Sequence, residues 1–408
     1  MSVSKIFNDP VYGFITVSDR LILQLIEHPY FQRLRRISQL GLSCLVYPGA
    51  NHTRFHHALG AMHLMQQALD ILKAKGTTIT DDEYRSAQIA ILLHDIGHGP
   101  FSHTLENNIL ENINHESLSL EIIKMLNDEF SGELEIAIQI FSGTYHKHFL
   151  HQLVSSQLDI DRLDYLMRDS FYTGVAEGVI GSERIIKMMY VFDDQLVIEE
   201  KGIYSLEKFL IARRLMYWQV YLHKTVLSAD ILLTLILQRA KFLASIHHSL
   251  ECPRAIYPFI NKKLPLHNLV EHFTRLDDFD VLSAVKEWCY DSDFVLSNLC
   301  KRLINRNLFK VKPLDTPPEA ANKKLIIQII SNLYSISEED AAYFIKSESI
   351  KHKAYDEAKG EIMIYKKNGE LCSIFEASTH LQRENLTQTE IKHLLFYPKE
   401  IKINEICC

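Results

Sequence analysis

The sequence is short of what a disulfide scaffold needs. It has seven cysteines in 408 residues, an odd number with no CxxC spacing and with two at Cys407 and Cys408, which argues against both a disulfide framework and a cysteine zinc site. It also lacks an excess of positive charge. Forty-four lysines and arginines against 51 aspartates and glutamates leave −7, so there is no overall basic field of the kind that holds nucleic acid non-specifically. Long apolar runs are missing too. The most apolar helical stretch, Ile231 to Leu237, falls far short of a membrane span, and Met1 to Pro10 lacks the apolar stretch of a signal peptide. The terminal Glu405-Ile-Cys-Cys408 lacks the position required for prenylation, and no repeat or low-complexity tract is found. These absences predict a chain of the reducing cytoplasm, with no membrane partner and no nucleic acid indicated. What is present, 47% hydrophobic and 23% charged residues, suits a globular chain with a large core and two or three domains.

Histidine is unevenly placed. Of 20 histidines, eight fall between residues 52 and 115 (His52, His56, His57, His63, His94, His98, His103 and His115), where chance would put about three. The chain is organised around Ile89 to Glu106, in which an apolar helical run ends in His94-Asp95 and passes into Gly97-His98-Gly99-Pro100, followed by His103 and Glu106. Adjacent helical residues diverge by about 100°, so two of them can share one ion only near a helix end, where the backbone can tilt. Gly97, Gly99 and Pro100 end the helix there. The structural alternative is a helix C-terminus with histidines favoured by the dipole.

Read in order, Phe7 to Gly13 is turn-rich, and Gly13 to Ser18 suits a short hairpin. Two helical patterns joined at Pro29 occupy residues 19 to 40, and Arg33, Arg35 and Arg36 read as solvated surface. A helix opens at Arg54-Phe-His-His57, where only one of His56 and His57 is expected to face inward. Thr80 and Glu83 make a capping box for the helix that reaches His94. His115 opens another amphipathic helix, and a carboxylate such as Glu106 beside it would form a proton-transfer pair. In Asp159 to Asp169, Asp161, Tyr165 and Asp169 are spaced to stack on one helix face; Asp159, Arg162, Asp164 and Arg168 could equally form a charged surface lattice. Residues 186 to 206 read as a β-hairpin. A long helix is expected from Leu206, with Arg213, Tyr217, Tyr221 and Lys224 on one face, suited to phosphate and a flat ring, or else a solvated face. Beyond 306, Leu308 to Lys312 reads as a strand, Lys323 to Tyr334 as a helix, and Glu361 to Ile374 as a hairpin with an Asn-Gly turn.

His57, His94-Asp95 and Asp161, in the order H…HD…D, resemble the signature of the HD-domain metal-dependent phosphohydrolases. Their surroundings resemble one branch, the deoxynucleoside-triphosphate triphosphohydrolases that include the SAM-and-HD-domain enzyme. The matching stretches are Phe7-Asn-Asp-Pro10, Phe31-Gln-Arg-Leu-Arg35, Gln39-Leu-Gly41, Tyr47-Pro-Gly-Ala50, Arg54 to His57, His94 to His103, His115-Glu116, Asp159 to Tyr165, Arg168-Asp169 and Tyr221 to Lys224. They cover about residues 4 to 240. The resemblance implies a mainly α fold: an HD-domain catalytic core over 1–245 with a short β-hairpin insertion, a helical extension over 246–305, and a small α/β region over 306–408.

It further implies that His57, His94, Asp95 and Asp161 bind one divalent metal, that His98 and His103 face the α-phosphate and the attacking water, and that His115 with Glu106 transfers protons. Arg54, Arg162, Tyr165 and Arg213 would hold the phosphates. Gln39 and Asp169 would reach the sugar 3′-hydroxyl, and Leu40 with Tyr221 would pack where a 2′-hydroxyl would sit. Lys5, Ile6, Glu27, Gln32 and Arg35 align with an effector-nucleotide site between subunits, implying a dimer or tetramer. The chain departs from the vertebrate enzyme at Glu106 and Glu27, where aspartate stands, at Arg162, where lysine stands, and at His56, which replaces a glutamate.

Two imidazoles with two carboxylates suit Mn, Fe, Ni, Co or Zn better than Mg, and Mn is the favoured cofactor. The expected reaction is hydrolysis of a dNTP to a deoxynucleoside and triphosphate by water attack at the α-phosphate. Two rivals stand beside it. One is an HD phosphohydrolase acting on another nucleotide or phosphate ester; the other is a non-catalytic nucleotide-binding protein.

Overall fold

The computed structural model describes residues 4–101, 114–261, 268–357 and 360–402. Strands β1 (Lys5–Asp9) and β2 (Gly13–Val17) pair antiparallel with Lys5 opposite Val17. Asp9 makes the turn by accepting the backbone N–H groups of Val11 and Tyr12 at 2.9 and 3.0 Å, the local bonding that suits aspartate to turns. Helix α1 (Arg20–Glu27) starts at Asp19, whose carboxylate accepts from Ile22 N at 3.0 Å, filling an orphan donor of the first turn. The pattern breaks at Pro29 as expected, into a single turn and then a 3-10 turn over Arg33–Arg36.

The first hydrophobic core is built on α2 (Arg54–Ala74), α3 (Asp81–Leu93), α4 (His115–Glu129) and α5 (Ile160–Thr173). The capping box before α3 forms: Glu83 N donates to Thr80 Oγ1 at 3.2 Å, and Thr80 N to Glu83 Oε2 at 2.8 Å. Asp159 caps α5 from its carboxylate, and Gly174, at φ +74°, ends it. The expected hairpin follows as β3 (Met189–Phe192) and β4 (Gln195–Glu199).

The single long helix expected from Leu206 is instead two. Helix α6 (Ile203–Met216) runs into a wide π turn over Tyr217–Tyr221, and α7 (Lys224–Ser245) starts afresh, bent by 53°. His223 makes the break by accepting from Thr225 N at 3.2 Å as an N-cap. Lys224 therefore opens the second helix and does not continue the Arg213, Tyr217, Tyr221 face. No described single helix is long and apolar enough to cross a membrane.

Helices α8 (Asp278–Trp288) and α9 (Phe294–Ile304) pack with α7 around Trp288, Leu232, Ile236 and Leu299 in a second core. The strands after residue 306 divide between the two cores. Strands β5 (Lys310–Leu314), β6 (Lys346–His352) and β9 (Glu390–Tyr397) make one sheet in the order β5-β9-β6, whose Leu394 to Tyr397 side chains join the second core. Strands β7 (Met363–Tyr365) and β8 (Leu371–Ser373) extend the β3-β4 hairpin, β7 running parallel to β4, and bring Tyr355, Ile364 and Ile374 into the first core. The C-terminal stretch is thus woven into both cores.

The two cores are stitched together by groups beneath the site. Arg33, expected at the surface, is buried: its guanidinium donates to the carbonyls of Ile96, His98 and Leu276 at 3.0 to 3.2 Å and lies 4.9 Å from the centre of the Phe273 ring. Carbonyl acceptors from separate loops make that burial tolerable. Asp278, 4% exposed, accepts from Ser38 N at 2.8 Å and Phe101 N at 3.2 Å.

Burial pushes the Asp278 carboxyl up to about 6, against the pull of those two N–H groups. A carboxyl raised above its unfolded value of about 3.9 contributes stability that is complete below pH about 4 and is lost as pH rises through about 6. The advantage of the wild type over Asp278→Asn in urea unfolding should therefore shrink by up to about 3 kcal/mol between pH 4 and 6.5. A difference that stays flat across that range would contradict this.

Candidate metal centre and adjoining cleft

Three donor atoms from three helices converge. His57, in the first turn of α2, places Nε2 at 3.3 Å from His94 Nε2 and 3.2 Å from Asp161 Oδ1, and His94 Nε2 lies 3.4 Å from Asp161 Oδ1. Asp95 lies against both imidazoles, 3.3 Å from His94 Nε2 and 3.7 Å from His57 Nε2. His94 stands immediately after the last residue of α3 and Asp161 in the first turn of α5, so helix ends supply all of these groups.

The ring orientations are fixed from behind. His57 Nδ1 donates to Asp164 Oδ2 at 2.7 Å, and His94 Nδ1 donates to Ile91 O at 2.6 Å. Each bond sets the tautomer that leaves the Nε2 lone pair aimed at the shared point. Asp164, fully buried, is in turn held by Arg168 Nε at 2.9 Å and Nη2 at 3.0 Å, and Arg168 Nη1 reaches Asp9 at 2.7 Å. The anticipated surface lattice of Asp164 and Arg168 is therefore an interior ion pair behind a ligand. Ser119 locks the other side, taking the Gly97 N–H at 2.9 Å and donating to His94 O at 2.7 Å. A Cβ on Gly97 would fall on the backbone of Ser119 and His115, so glycine there is required by close approach. His56 turns away and joins Thr53 at the helix cap, with Thr53 N 3.2 Å from its Nδ1.

The charges call for a cation. Burial pulls the His57 imidazole down, but hydrogen bonds to Asp161 and Asp164 and the charges of Asp164 and Asp95 outweigh it and raise it to about 10. His94 is raised as well: burial opposes, and the Asp95 charge with the Asp161 bond prevails. Burial would lift Asp161, yet the bonds from His57 and His94 hold it below the ordinary carboxylate range. Protons on the imidazoles thus do what a divalent ion would do there. Ligand atoms about 2.1 Å from one ion lie about 3.0 to 3.4 Å apart, which the spacings among His57, His94 and Asp161 match, and two imidazole nitrogens with a carboxylate oxygen suit a first-row divalent ion. The residues present fit such an ion.

Beside this cluster, Arg54 pairs with Asp95, and His98 Nδ1 lies 3.2 Å from Asp95 Oδ1. Burial and then Arg54 push the His98 imidazole down to about 3, so it is neutral at neutral pH. Its ring centre is 4.0 Å from that of His115. His103 and Glu106 lie outside the described residues. Continuing along α5, Arg162 pairs with Asp159, and Tyr165 meets Tyr221 edge-on at 6.1 Å. Asp169 accepts from Tyr221 Oη at 2.9 Å and is 2.7 Å from His52 Nε2. Arg213 donates to Gln157 at 3.2 Å. Leu40 packs half-buried against the first core. Gln39 Oε1, Arg162 Nε and Arg213 Nε are buried polar atoms without a partner among the described residues.

The five residues aligned with an effector site lie on another face. Lys5 Nζ and Glu27 Oε1 are 3.1 Å apart, Arg35 Nε donates to Gln32 Oε1 at 2.9 Å, and the Arg35 guanidinium sits 3.6 Å over the Phe55 ring. Ile6 is 62% exposed beside Phe14 at 73%.

Residues 54–169 match the model of the HD domain, and residues 180–241 match that of the HD associated region. The uncharacterized protein YwfO of Bacillus subtilis is 34% identical over 98% of this chain and 94% of its own length. A crystal structure of a phosphohydrolase from Bacteroides thetaiotaomicron superposes with a TM-score of 0.94, at 49% identity over 97% of this chain and all of that one. The chain belongs to the HD-domain phosphohydrolase family. A deoxynucleoside triphosphate triphosphohydrolase SAMHD1 homolog from Dictyostelium discoideum is 31% identical over 63% of this chain, which spans 53% of that protein. As an HD-domain phosphohydrolase the chain carries a His/His/Asp cluster able to hold a divalent ion. Sequence reading missed Asp164, Ser119 and Gln157 as supports. Only Asp164 left a signal, its four-residue spacing from Arg168 on the α5 face next to that of Asp161.

Proposed function

We propose that this HD-domain phosphohydrolase hydrolyses dNTPs to deoxynucleoside and triphosphate by water attack at the α-phosphate. The observation that carries the reading is a set of buried polar side-chain atoms without a partner among the described residues: Arg162 Nε, one residue from Asp161, with Arg213 Nε and Gln39 Oε1. Buried donors and acceptors left open are costly unless a ligand fills them. Two cationic donors suit a polyphosphate, and an amide oxygen suits a sugar hydroxyl. The hydroxyl of Tyr221 is committed to Asp169, leaving its ring with Leu40 to wall the sugar edge against a 2′-hydroxyl. The relationship to the Dictyostelium triphosphohydrolase supports the same substrate class.

In this reading His57, His94, Asp95 and Asp161 hold one divalent ion, Mn favoured, which when bound polarises a phosphoryl oxygen and makes water a nucleophile near neutral pH. Arg54, Arg162, Tyr165 and Arg213 hold the phosphates against the charge that grows on their oxygens. Neutral His98, with His103, orients the α-phosphate and water, and His115 with Glu106 moves the proton to the leaving 5′-oxygen. Asp169 and Gln39 take the 3′-hydroxyl. Lys5, Ile6, Glu27, Gln32 and Arg35 form an effector-nucleotide site completed by a second subunit in a dimer or tetramer; the exposed Ile6 and Phe14 beside them are surface such an assembly would cover.

The test is incubation with each dNTP and Mn, with products resolved by chromatography. Deoxynucleoside and intact triphosphate are expected in equal amounts. Release of inorganic phosphate would move the reaction off the α-phosphate, release of pyrophosphate with dNMP would show that the 5′-oxygen is not the leaving group, and no turnover of any dNTP while another phosphate ester is cleaved would replace the substrate.

A further inference from the structure

The C-terminal sheet touches the π turn between α6 and α7 through a histidine. His352, the last residue of β6 and paired with Glu390 of β9, is 8% exposed and stacks on Tyr217 with ring centres 4.1 Å apart and planes at 23°. The Trp218 ring meets it edge-on at 5.7 Å. Its Nε2 is buried with no partner among the described residues. Tyr217 in turn touches Tyr221 at 5.2 Å, and Tyr221 touches Tyr165. Ring contacts therefore link the helix of Asp161 to His352: Tyr165, four residues on from Asp161, touches Tyr221, Tyr221 touches Tyr217, and Tyr217 carries His352, while the Arg213 charge acts on both Tyr165 and His352.

The same segment props Arg213. Gln157 accepts from Arg213 Nη1 at 3.2 Å through its oxygen and donates through its amide to Asp356 O, a few residues beyond His352. Arg213 and Tyr217 are thus both supported by the C-terminal chain, one through Gln157 and the other directly. An imidazole held flat on a tyrosine loses little freedom when it binds, and a buried ring N–H beside an arginine is a good partner for a phosphate oxygen.

We propose that His352 contacts the substrate: its Nε2–H binds the outer phosphate of the chain whose inner phosphate lies at the metal, and so favours nucleoside triphosphates over diphosphates. This rests on the nucleotide reading of the cleft. It assigns the sheet β5-β9-β6 a part in reading phosphate-chain length.

The experiment compares the full-length wild type with His352→Phe, which keeps the stacked ring and removes the donor, and with His352→Gln, which returns an amide donor. Initial rates are measured with Mn on dGTP and dGDP, and unfolding midpoints are taken in parallel. For His352→Phe the KM for dGTP should rise about tenfold, more than kcat falls, and the preference for dGTP over dGDP should shrink in the same proportion. His352→Gln should regain part of both. Should His352→Phe fail to fold, the wild type still decides, because the Nε2 nitrogen resonance of His352, identified by its loss in the glutamine variant, should move on adding dGTP and not on adding deoxyguanosine. Unchanged KM and triphosphate preference in a folded His352→Phe, or a resonance that ignores dGTP, would overturn the assignment of His352 while leaving the dNTP reading intact. A wild type that cleaves no dNTP would overturn that reading itself.

Discussion

His94→Ala should lower turnover by about a thousandfold or more, because it removes one ligand of the convergent triad at the point where the other two cannot close on an ion by themselves. His94 Nε2 is within 3.4 Å of both His57 Nε2 and Asp161 Oδ1, and its ring is held by Ile91 O, so no neighbour can take its place without rebuilding the end of α3. Asp95→Ala should be as severe, since Asp95 touches both imidazoles and also anchors Arg54 and His98. The check is steady-state turnover together with metal content per chain after gel filtration. Full turnover by either variant with metal rigorously removed would refute a metal-dependent reaction.

Asp164→Ala should give the largest loss of stability. The side chain touches no substrate, but deleting it strips a buried arginine of the carboxylate it binds through two nitrogens and leaves His57 Nδ1 without its acceptor. Breaking a buried pair from one side costs about 3 kcal/mol or more, because the remaining charge stays buried; Asp9, at 2.7 Å from Arg168, keeps the loss towards the low end. A freed His57 ring should also weaken metal binding by about 10- to 100-fold. Asp164→Asn separates the two effects: its amide oxygen still accepts from His57, so metal affinity should recover more than stability does. Urea unfolding of the metal-free protein and a metal titration measure each. An alanine variant as stable as the wild type and binding metal equally well would contradict the role assigned to Asp164.

What the sequence could reveal was local. His94-Asp95 before Gly97 announced a ligand pair at a helix end, the Thr80 and Glu83 box fixed which helix, and the Asp161, Tyr165, Asp169 spacing placed one face of α5 correctly. The missed features depend on partners distant along the chain. Nothing near Arg33 signals that it binds the carbonyls of Ile96, His98 and Leu276, and an arginine flanked by Arg35 and Arg36 reads as surface. The break between α6 and α7 contains neither proline nor glycine; it is made by a π turn and a histidine cap, neither of which leaves a periodic trace. His352 sits in a short polar strand whose alternation gives no hint that a tyrosine from a separate helix lies flat against it. Arg213, by contrast, was identifiable as a candidate for phosphate because it falls on one helix face with Tyr217 and Tyr221, whereas Arg162 entered only through the family resemblance.

The most direct test is the anomalous difference map of a crystal of the active protein grown or soaked with Mn. One strong peak bounded by His57 Nε2, His94 Nε2 and Asp161 Oδ1, with Asp95 beside it, is the expected result. A map without a peak at that point while the protein turns over, or with His57 or Asp161 turned away from the His94 and Asp95 pair, would contradict the account.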